Sequence, residues 1–219
     1  MRLILGDFLE LSKDIQDESV DLVVTDPPYE LTKGGSKTGQ MGGIFAVGEY
    51  DNKGKLFLVP KFEDWIPIIW RILKPGTHFY CMSNDRNMFE IKKIAERCGF
   101  KYHRILPWLK NTATPNRWYM GNVEYTLLFR KGKQRYINDC GSKAAIEIKN
   151  PRNKFHPTEK PVELMEYYIK NSSNEGDLIL DPFFGSGTTA IACKNLHRNF
   201  LGYEIDMKYY EVVRQRLEI

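Results

Sequence analysis

The chain has 219 residues, 42% of them hydrophobic, and a formal net charge of +4. That length suits one α/β domain, residues 1–219, with a sizeable core and little room for a second. The charge permits nucleic acid as a partner without arguing for it. No run approaches the roughly 18 apolar residues of a membrane span. The opening run MRLIL is too short for a signal peptide and acids follow at once, so a cytoplasmic location is expected. Cys81, Cys98, Cys140 and Cys193 lie far apart, without a CxxC pair or a zinc-like histidine spacing. They read as reduced thiols, and no metal is expected.

Short apolar runs alternate with helical patterns, which predicts a mostly parallel sheet covered by helices. In chain order the strands are expected at Arg2–Leu5, Asp21–Thr25, Thr77–Met82, Lys101–Trp108, Tyr125–Arg130, Leu178–Asp181 and Asn199–Tyr203. Helical patterns cover Glu63–Leu73, Arg86–Arg97, Pro161–Ser172, Thr188–Leu196 and Lys208–Leu217. Lys74-Pro75-Gly76 reads as a turn that stops one helix and starts a strand. Two segments break the alternation. Glu30–Lys55 holds seven glycines and reads as a mobile loop, since ordering glycine costs much entropy. The segment 131–155 is polar and basic: Arg130 to Lys154 carries eight Lys/Arg against Asp139 and Glu147.

Near the C-terminus, Leu178-Ile-Leu-Asp-Pro-Phe-Phe-Gly-Ser-Gly-Thr-Thr runs from strand to tight turn to helix. Gly185 and Gly187 allow a sharp turn and close approach of a ligand to the backbone. A second strand follows and ends in Glu204, the position from which an acid commonly holds the two hydroxyls of a ribose. There is no GK[ST] and no GxGxxG, because Thr188-Thr189-Ala190 follows Gly187. A ligand with a ribose but no phosphate therefore fits, and S-adenosylmethionine is one. An ordinary strand-to-helix turn with a capping Ser or Thr is the competing reading of this motif alone.

Near the N-terminus, Asp26-Pro27-Pro28-Tyr29 follows the apolar run VDLVVT. Two prolines remove two backbone donors and fix φ. A carboxylate, free carbonyls and an aromatic ring are thus presented at a strand end. An exocyclic amine is a poor nucleophile because its lone pair is delocalised into the ring. Accepting its two N–H groups at Asp26 and the Pro27 carbonyl favours a pyramidal nitrogen and stabilises its developing positive charge. Tyr29 would stack on the base. In a doubly wound sheet the ligand sits where strand order reverses. Placing the Asp181 strand beside the Asp26 strand at that switch makes the two motifs neighbours. Arg2–Leu5 would then pair beside the Glu204 strand and bring Gly6-Asp7 to the same edge.

With these motifs in this order the chain resembles the β-class (permuted) S-adenosylmethionine-dependent DNA amino-methyltransferases, the N6-adenine/N4-cytosine family. The resemblance spans essentially the whole chain. It implies a class I methyltransferase fold, Rossmann-like and doubly wound, with a mostly parallel seven-stranded sheet and circularly permuted motif order. It assigns catalysis to Asp26, Pro27, Pro28 and Tyr29. His156-Pro157-Thr158-Glu159-Lys160-Pro161 resembles the element holding the methionine end of the cofactor, which implicates His156, Thr158, Lys160 and Pro161. Asp181, Phe183, Gly185, Ser186, Gly187 and Thr188 match the cofactor loop, Glu204 the ribose acid, and Asp7 with Phe8 the element at the cofactor's adenine. Trp108-Leu-Lys-Asn and Glu124–Lys131 resemble the strands before the target-recognition region, which is short here, at 131–155.

The resemblance implies transfer of a methyl group to N6 of adenine in DNA by base flipping, releasing S-adenosylhomocysteine, as in restriction-modification systems. Asp rather than Ser in the first position of the tetrad favours adenine over N4 of cytosine. An RNA adenine methyltransferase and a non-catalytic DNA-binding or regulatory subunit are the other readings; intact Asp26–Tyr29 and Asp181–Thr188 argue against the last. DNA contacts are expected from Lys131, Lys133, Arg135, Lys143, Lys149 and Arg152. Trp118 and Tyr119 are candidates either for DNA or for the core. A homodimer or a partner protein could supply target recognition.

Overall fold

The computed structural model describes residues 1–28, 59–114, 119–133, 135–151 and 159–219. Eight strands form one sheet: β1 (Arg2–Leu5), β2 (Val20–Thr25), β3 (Leu73–Ser83), β4 (Lys101–Thr114), β5 (Gly121–Arg130), β6 (Ile146–Glu147), β7 (Leu178–Asp181) and β8 (Asn199–Glu204). The helices are α1 (Phe8–Leu11), α2 (Phe62–Ile72), α3 (Met88–Cys98), α4 (Val162–Ser172), α5 (Thr188–Asn195) and α6 (Met207–Leu217). The strand order is β1-β8-β7-β2-β3-β5-β4-β6. The first five strands in that order are mutually parallel, and β5 runs antiparallel to both β3 and β4.

This order creates the switch point that the motifs require. From β7 the chain passes through α5 outward to β8. From β2 it moves the opposite way, to β3. The expected neighbours pair: Leu22 with Ile179 and Val23 with Leu180 across β2 and β7, and Arg2 to Leu5 with Leu201 to Glu204 across β1 and β8. Crevices at such reversals open beyond the carboxyl ends of the strands, where Asp26, Asp181 and Glu204 stand.

Central strands covered on both faces read as unbroken apolar runs, and β2 (VDLVVT) is of this kind. Alternate residues enter two cores. Phe79 and Cys81 of β3 pack with Trp65, Ile69 and Phe129 on the α2–α3 face. Tyr80 and Met82 pack with Tyr168, Leu164 and Phe200 on the α4–α5 face. Trp65, Phe79, Phe129 and Tyr168 are each at most 1% exposed, and full burial of such side chains stabilises by about 1.5–3 kcal/mol apiece. The second core also anchors the start of α5, the helix that follows the glycine turn.

Two expectations are corrected and one helix is added. The sheet has eight described strands, not seven, because Ile146–Glu147 pairs with Trp108 and Leu109 at the edge of β4. Two residues carry no detectable periodicity, so sequence could not find it. Lys74-Pro75-Gly76 does not separate helix from strand: α2 passes directly into β3 at Leu73, and the three residues lie in an irregularity where pairing jumps from Val20–Leu73 to Leu22–His78. Gly76 takes φ +80° there, a conformation costly for other residues. The short helix α1 was also missed; its cap is legible afterwards, since the Asp7 carboxylate accepts from Leu9 N at 2.8 Å. Among the described residues no helix is long and apolar enough to cross a membrane.

Candidate active site

A cavity of about 470 Å³ opens at the switch point. Asp26, Pro27 and Pro28 line one side, and Asp181 to Ser186 with Thr188 and Thr189 line another. Gly6, Asp7, Phe8, Tyr203 and Glu204 close the far end. The two motifs, 155 residues apart from Asp26 to Asp181, thus share one site.

The strand ends are locked together by Asp181. Its Oδ1 accepts from Thr25 Oγ1 at 2.8 Å and from Phe183 N at 3.1 Å, and its Oδ2 accepts from Thr189 Oγ1 at 2.7 Å. This carboxylate ties β7 to β2 and the loop to α5. Burial pushes its pKa up to about 6, partly offset by the bonds to Thr189, Thr25 and Phe183. Both oxygens are committed, so Asp181 shapes the loop by positioning rather than by offering a free acceptor.

Glu204 is held differently. Gly185 N donates to Oε2 at 2.9 Å and Asp206 N to Oε1 at 2.8 Å. A carboxylate has about four acceptor positions, so two backbone donors fix the group and leave acceptor capacity on each oxygen. The β1 edge is aligned with it by Gly6 N donating to the Glu204 carbonyl at 2.8 Å.

The two loop glycines divide the work. Gly185 takes φ +50°, and a Cβ there would meet nothing within 4 Å; its need is conformational. Gly187 does not line the cavity: at φ +78°, its Cβ would stand 2.5 Å from Val213 Cγ2 of α6. The expectation of a ligand contact at Gly187 is therefore replaced by close helix packing. Phe8 is 2% exposed and packs edge-on against Phe183 and Tyr203, at 6.1 and 5.3 Å between centroids. It forms the apolar floor. Pro161 sits at the N-cap of α4 and is not among the cavity's lining residues.

Asp26 is held on one side only. Lys160 Nζ donates to Oδ2 at 2.5 Å, whereas Oδ1 is buried and has no hydrogen-bond partner among the described residues. Burial raises the Asp26 pKa, and Lys160 partly offsets this. Lys160, expected at the cofactor, lines the same cavity as the glycine turn and is bonded to the tetrad. An unpaired buried acceptor costs about 1–3 kcal/mol, a cost that a donor from a ligand would remove.

Sequence reading missed three contributors. Glu124 of β5 lies 3.3 Å from Lys160 Nζ and 3.0 Å from Lys110 Nζ. Arg216 of α6 donates to the Ser186 carbonyl at 2.6 Å and pairs with the buried Glu159 at 2.8 Å, clamping the glycine turn to the segment entering α4. Asp64, in the first turn of α2, also lines the cavity. Isolated charges on strands and helices carry no spacing signal, and only long-range pairing reveals them.

The basic segment is only partly a surface. Lys131 is 6% exposed; its Nζ donates to the Trp70 and Leu73 carbonyls at 2.7 Å each and pairs with Glu18 at 3.1 Å. It caps the end of α2 and is not available to DNA. Lys133, Lys143 and Lys149 are exposed and Arg135 is half-buried. Tyr119 is 95% exposed, which removes it from the core. Tyr29, His156, Thr158, Arg152, Trp118 and the loop Glu30–Lys55 lie outside the described residues.

Residues 20–215 match the model of the N6/N4 DNA methylase family. The chain belongs to that family. This DNA methylase is 31% identical to the Type II methyltransferase M2.DpnII of Streptococcus pneumoniae, over 100% of this chain and 90% of that protein. It is 29% identical to the Type II methyltransferase M.HpaI of Haemophilus parainfluenzae, over 99% of this chain and 74% of that one. Among solved structures, M1.HpyAVI in complex with SAM superposes with a TM-score of 0.77 at 28% identity, covering 98% of both chains. The methylase fold, with its permuted motif order, is that of an amino-methyltransferase.

Proposed function

We propose that this methylase transfers the methyl group of S-adenosylmethionine to N6 of adenine in DNA, acting on a flipped base. The observation that carries the reading is the buried, unpartnered Oδ1 of Asp26 beside the loop held by Asp181 and Glu204. A donor is wanted there, and an exocyclic amine is one. When bound, S-adenosylmethionine supplies an electrophilic methyl on a sulfonium, so the protein's task is to present the amine. The acceptor capacity left on Glu204 fits ribose hydroxyls, and the aromatic floor of Phe8 and Phe183 fits an apolar or planar group. The solved relative carrying SAM supports the same cofactor.

Asp26 Oδ1 and the Pro27 carbonyl accept the two N–H groups of the amine and favour a localised lone pair on nitrogen. The nitrogen gains positive charge as it is methylated, and the carboxylate stabilises that charge. One proton must then leave the nitrogen, and Oδ1 is placed to accept it. Tyr29, the last residue of the tetrad, would stack on the base. Base flipping follows because an amine stacked inside the duplex cannot reach Asp26 Oδ1, which is buried in the cavity. DNA contacts are assigned to Lys133, Arg135, Lys143, Lys149 and Arg152, with Lys131 withdrawn. A restriction-modification role fits the Type II relatives.

Adenine and cytosine both present such an amine. Two arguments favour adenine: the resemblance links Asp in the first tetrad position to it, and a purine gives Tyr29 a larger stacking surface, where stacking contributes about 1–3 kcal/mol per base. The test is to methylate DNA with the purified protein, digest it to nucleosides and analyse them by mass spectrometry. N6-methyladenine is the expected product. N4-methylcytosine as sole product would overturn the choice of base, and 5-methylcytosine would overturn the amine chemistry itself.

A further inference from the structure

The site contains a chain of four charged side chains from four separate segments. Asp26 follows β2, Lys160 precedes α4, Glu124 lies on β5 and Lys110 on β4. Lys160 Nζ stands 2.5 Å from Asp26 Oδ2 and 3.3 Å from Glu124 Oε2, and Glu124 Oε1 stands 3.0 Å from Lys110 Nζ. Lys160 and Lys110 have only 8% and 16% of their side-chain surface exposed. Carboxylates and ammoniums alternate along the chain, so its formal charge sums to zero.

The alternation has a chemical consequence. A carboxylate out of water is driven to bind a proton, and burial acts on Asp26 in this direction. A protonated Asp26 would bring an O–H donor into the site and lose basicity, weakening its hold on an amine's N–H. One buried lysine alone would be a poor remedy, because a desolvated ammonium–carboxylate pair can neutralise itself by passing the proton across. Glu124 removes that escape. Although burial pushes its carboxyl up, Lys160 and Lys110 hold it down at about 2, so it stays charged and sets a second negative charge beside the Lys160 ammonium, 3.3 Å away. Lys160 also occupies Oδ2, which leaves Oδ1 as the unpartnered oxygen. Among the described residues, the other titratable groups at Asp26 are Asp181, whose pKa is raised chiefly by burial, and Cys81, also raised by burial. Neither supplies a positive charge.

We propose that Lys160, backed by Glu124 and Lys110, is a positioning residue for methyl transfer: it keeps Asp26 ionised and presents Oδ1 as the acceptor for the target amine. This role rests on the reading of Asp26 given above, and it differs from the cofactor contact that the HPTEKP resemblance implies for Lys160.

The test compares Lys160→Met, Lys160→Arg and Glu124→Gln with the unaltered protein. The measurements are single-turnover methyl transfer to duplex DNA as a function of pH, S-adenosylmethionine affinity by calorimetry, and thermal unfolding. Lys160→Met is expected to lower the rate at neutral pH by about 100-fold, with cofactor affinity within about threefold of the unaltered protein. Its residual activity should rise at higher pH, because an Asp26 without its cation needs less acid conditions to ionise. Lys160→Arg should restore much of the rate, and Glu124→Gln should move the acid limb the same way by less. Equal losses of cofactor affinity and rate in Lys160→Met would place Lys160 at the cofactor and overturn the proposal. So would an unshifted acid limb or an unchanged rate. Asp26→Asn, run beside them, separates the two levels: if it retains full activity the reading of Asp26 fails, whereas its inactivation with an unaffected Lys160→Met fails the lysine alone.

Discussion

Asp26 and Asp181 stand at the ends of neighbouring strands, Asp181 buried and Asp26 half-buried, both with pKa values raised by desolvation. Their hydrogen bonds separate them. Asp181 accepts three donors from its own fold, and Asp26 accepts one lysine on one oxygen. A carboxylate whose oxygens are satisfied by the protein builds the site, and one left with an empty acceptor serves what enters it. The same contrast holds between Lys131, whose ammonium is consumed by two carbonyls and a glutamate, and the exposed Lys133, Lys143 and Lys149.

The largest effect on the fold is expected at Asp181. Asp181→Ala orphans two hydroxyls and an amide, and should destabilise the protein by about 3 kcal/mol, at about 1–3 kcal/mol per unsatisfied buried group, measured by denaturant unfolding. Its titration has a definite sign. With the folded pKa raised to about 6 from 3.8, its contribution to stability is fully present below the unfolded value and is lost as pH rises through 6. Asp181→Asn should flatten that part of the stability profile. A variant as stable as the parent at every pH would erase the contrast with Asp26.

Glu204 sharpens the comparison from a third position, anchored and yet with acceptor capacity to spare. Glu204→Ala should weaken cofactor binding by roughly 1.5–3 kcal/mol, the range for hydrogen bonds to a charged group, by calorimetry. An unchanged dissociation constant would remove the ribose contact.

The smallest effects separate the lysines. Lys131→Met should cost about 1–2 kcal/mol of stability through its unpaired carbonyls and leave the salt dependence of DNA binding unaltered. Replacing Lys133, Lys143 and Lys149 with Gln should leave stability alone. It should also flatten the salt slope by roughly 0.9 log units for each DNA phosphate that is no longer neutralised. The reverse pattern would return Lys131 to the DNA surface.

Much of this molecule was legible in its sequence, for physical reasons that differ by element. The buried strands β2, β7 and β8 announced themselves as apolar runs, and the turn after Asp181 by glycines that only a left-handed backbone or close packing requires. The pairing of β7 with β2 followed from the switch-point rule. The strand β6 did not show, because two residues make no pattern. Lys131 misled because a basic run has the same composition whether its charges face water or cap a helix. Lys160, Glu124 and Lys110 were illegible as a group, since their association depends on separate chain segments meeting, Lys160 between Asp26 and Glu124 and Lys110 on Glu124 alone.

The central claim is that Asp26 acts on the amine and takes no part in holding the cofactor. Asp26→Ala measures it directly, with S-adenosylmethionine affinity by calorimetry and methyl transfer under single-turnover conditions in the same preparation. The account predicts a rate lower by roughly two orders of magnitude or more, as for removal of one preorganised polar group, with cofactor affinity little changed. Loss of cofactor binding in step with the loss of rate would contradict it and make Asp26 a second Asp181.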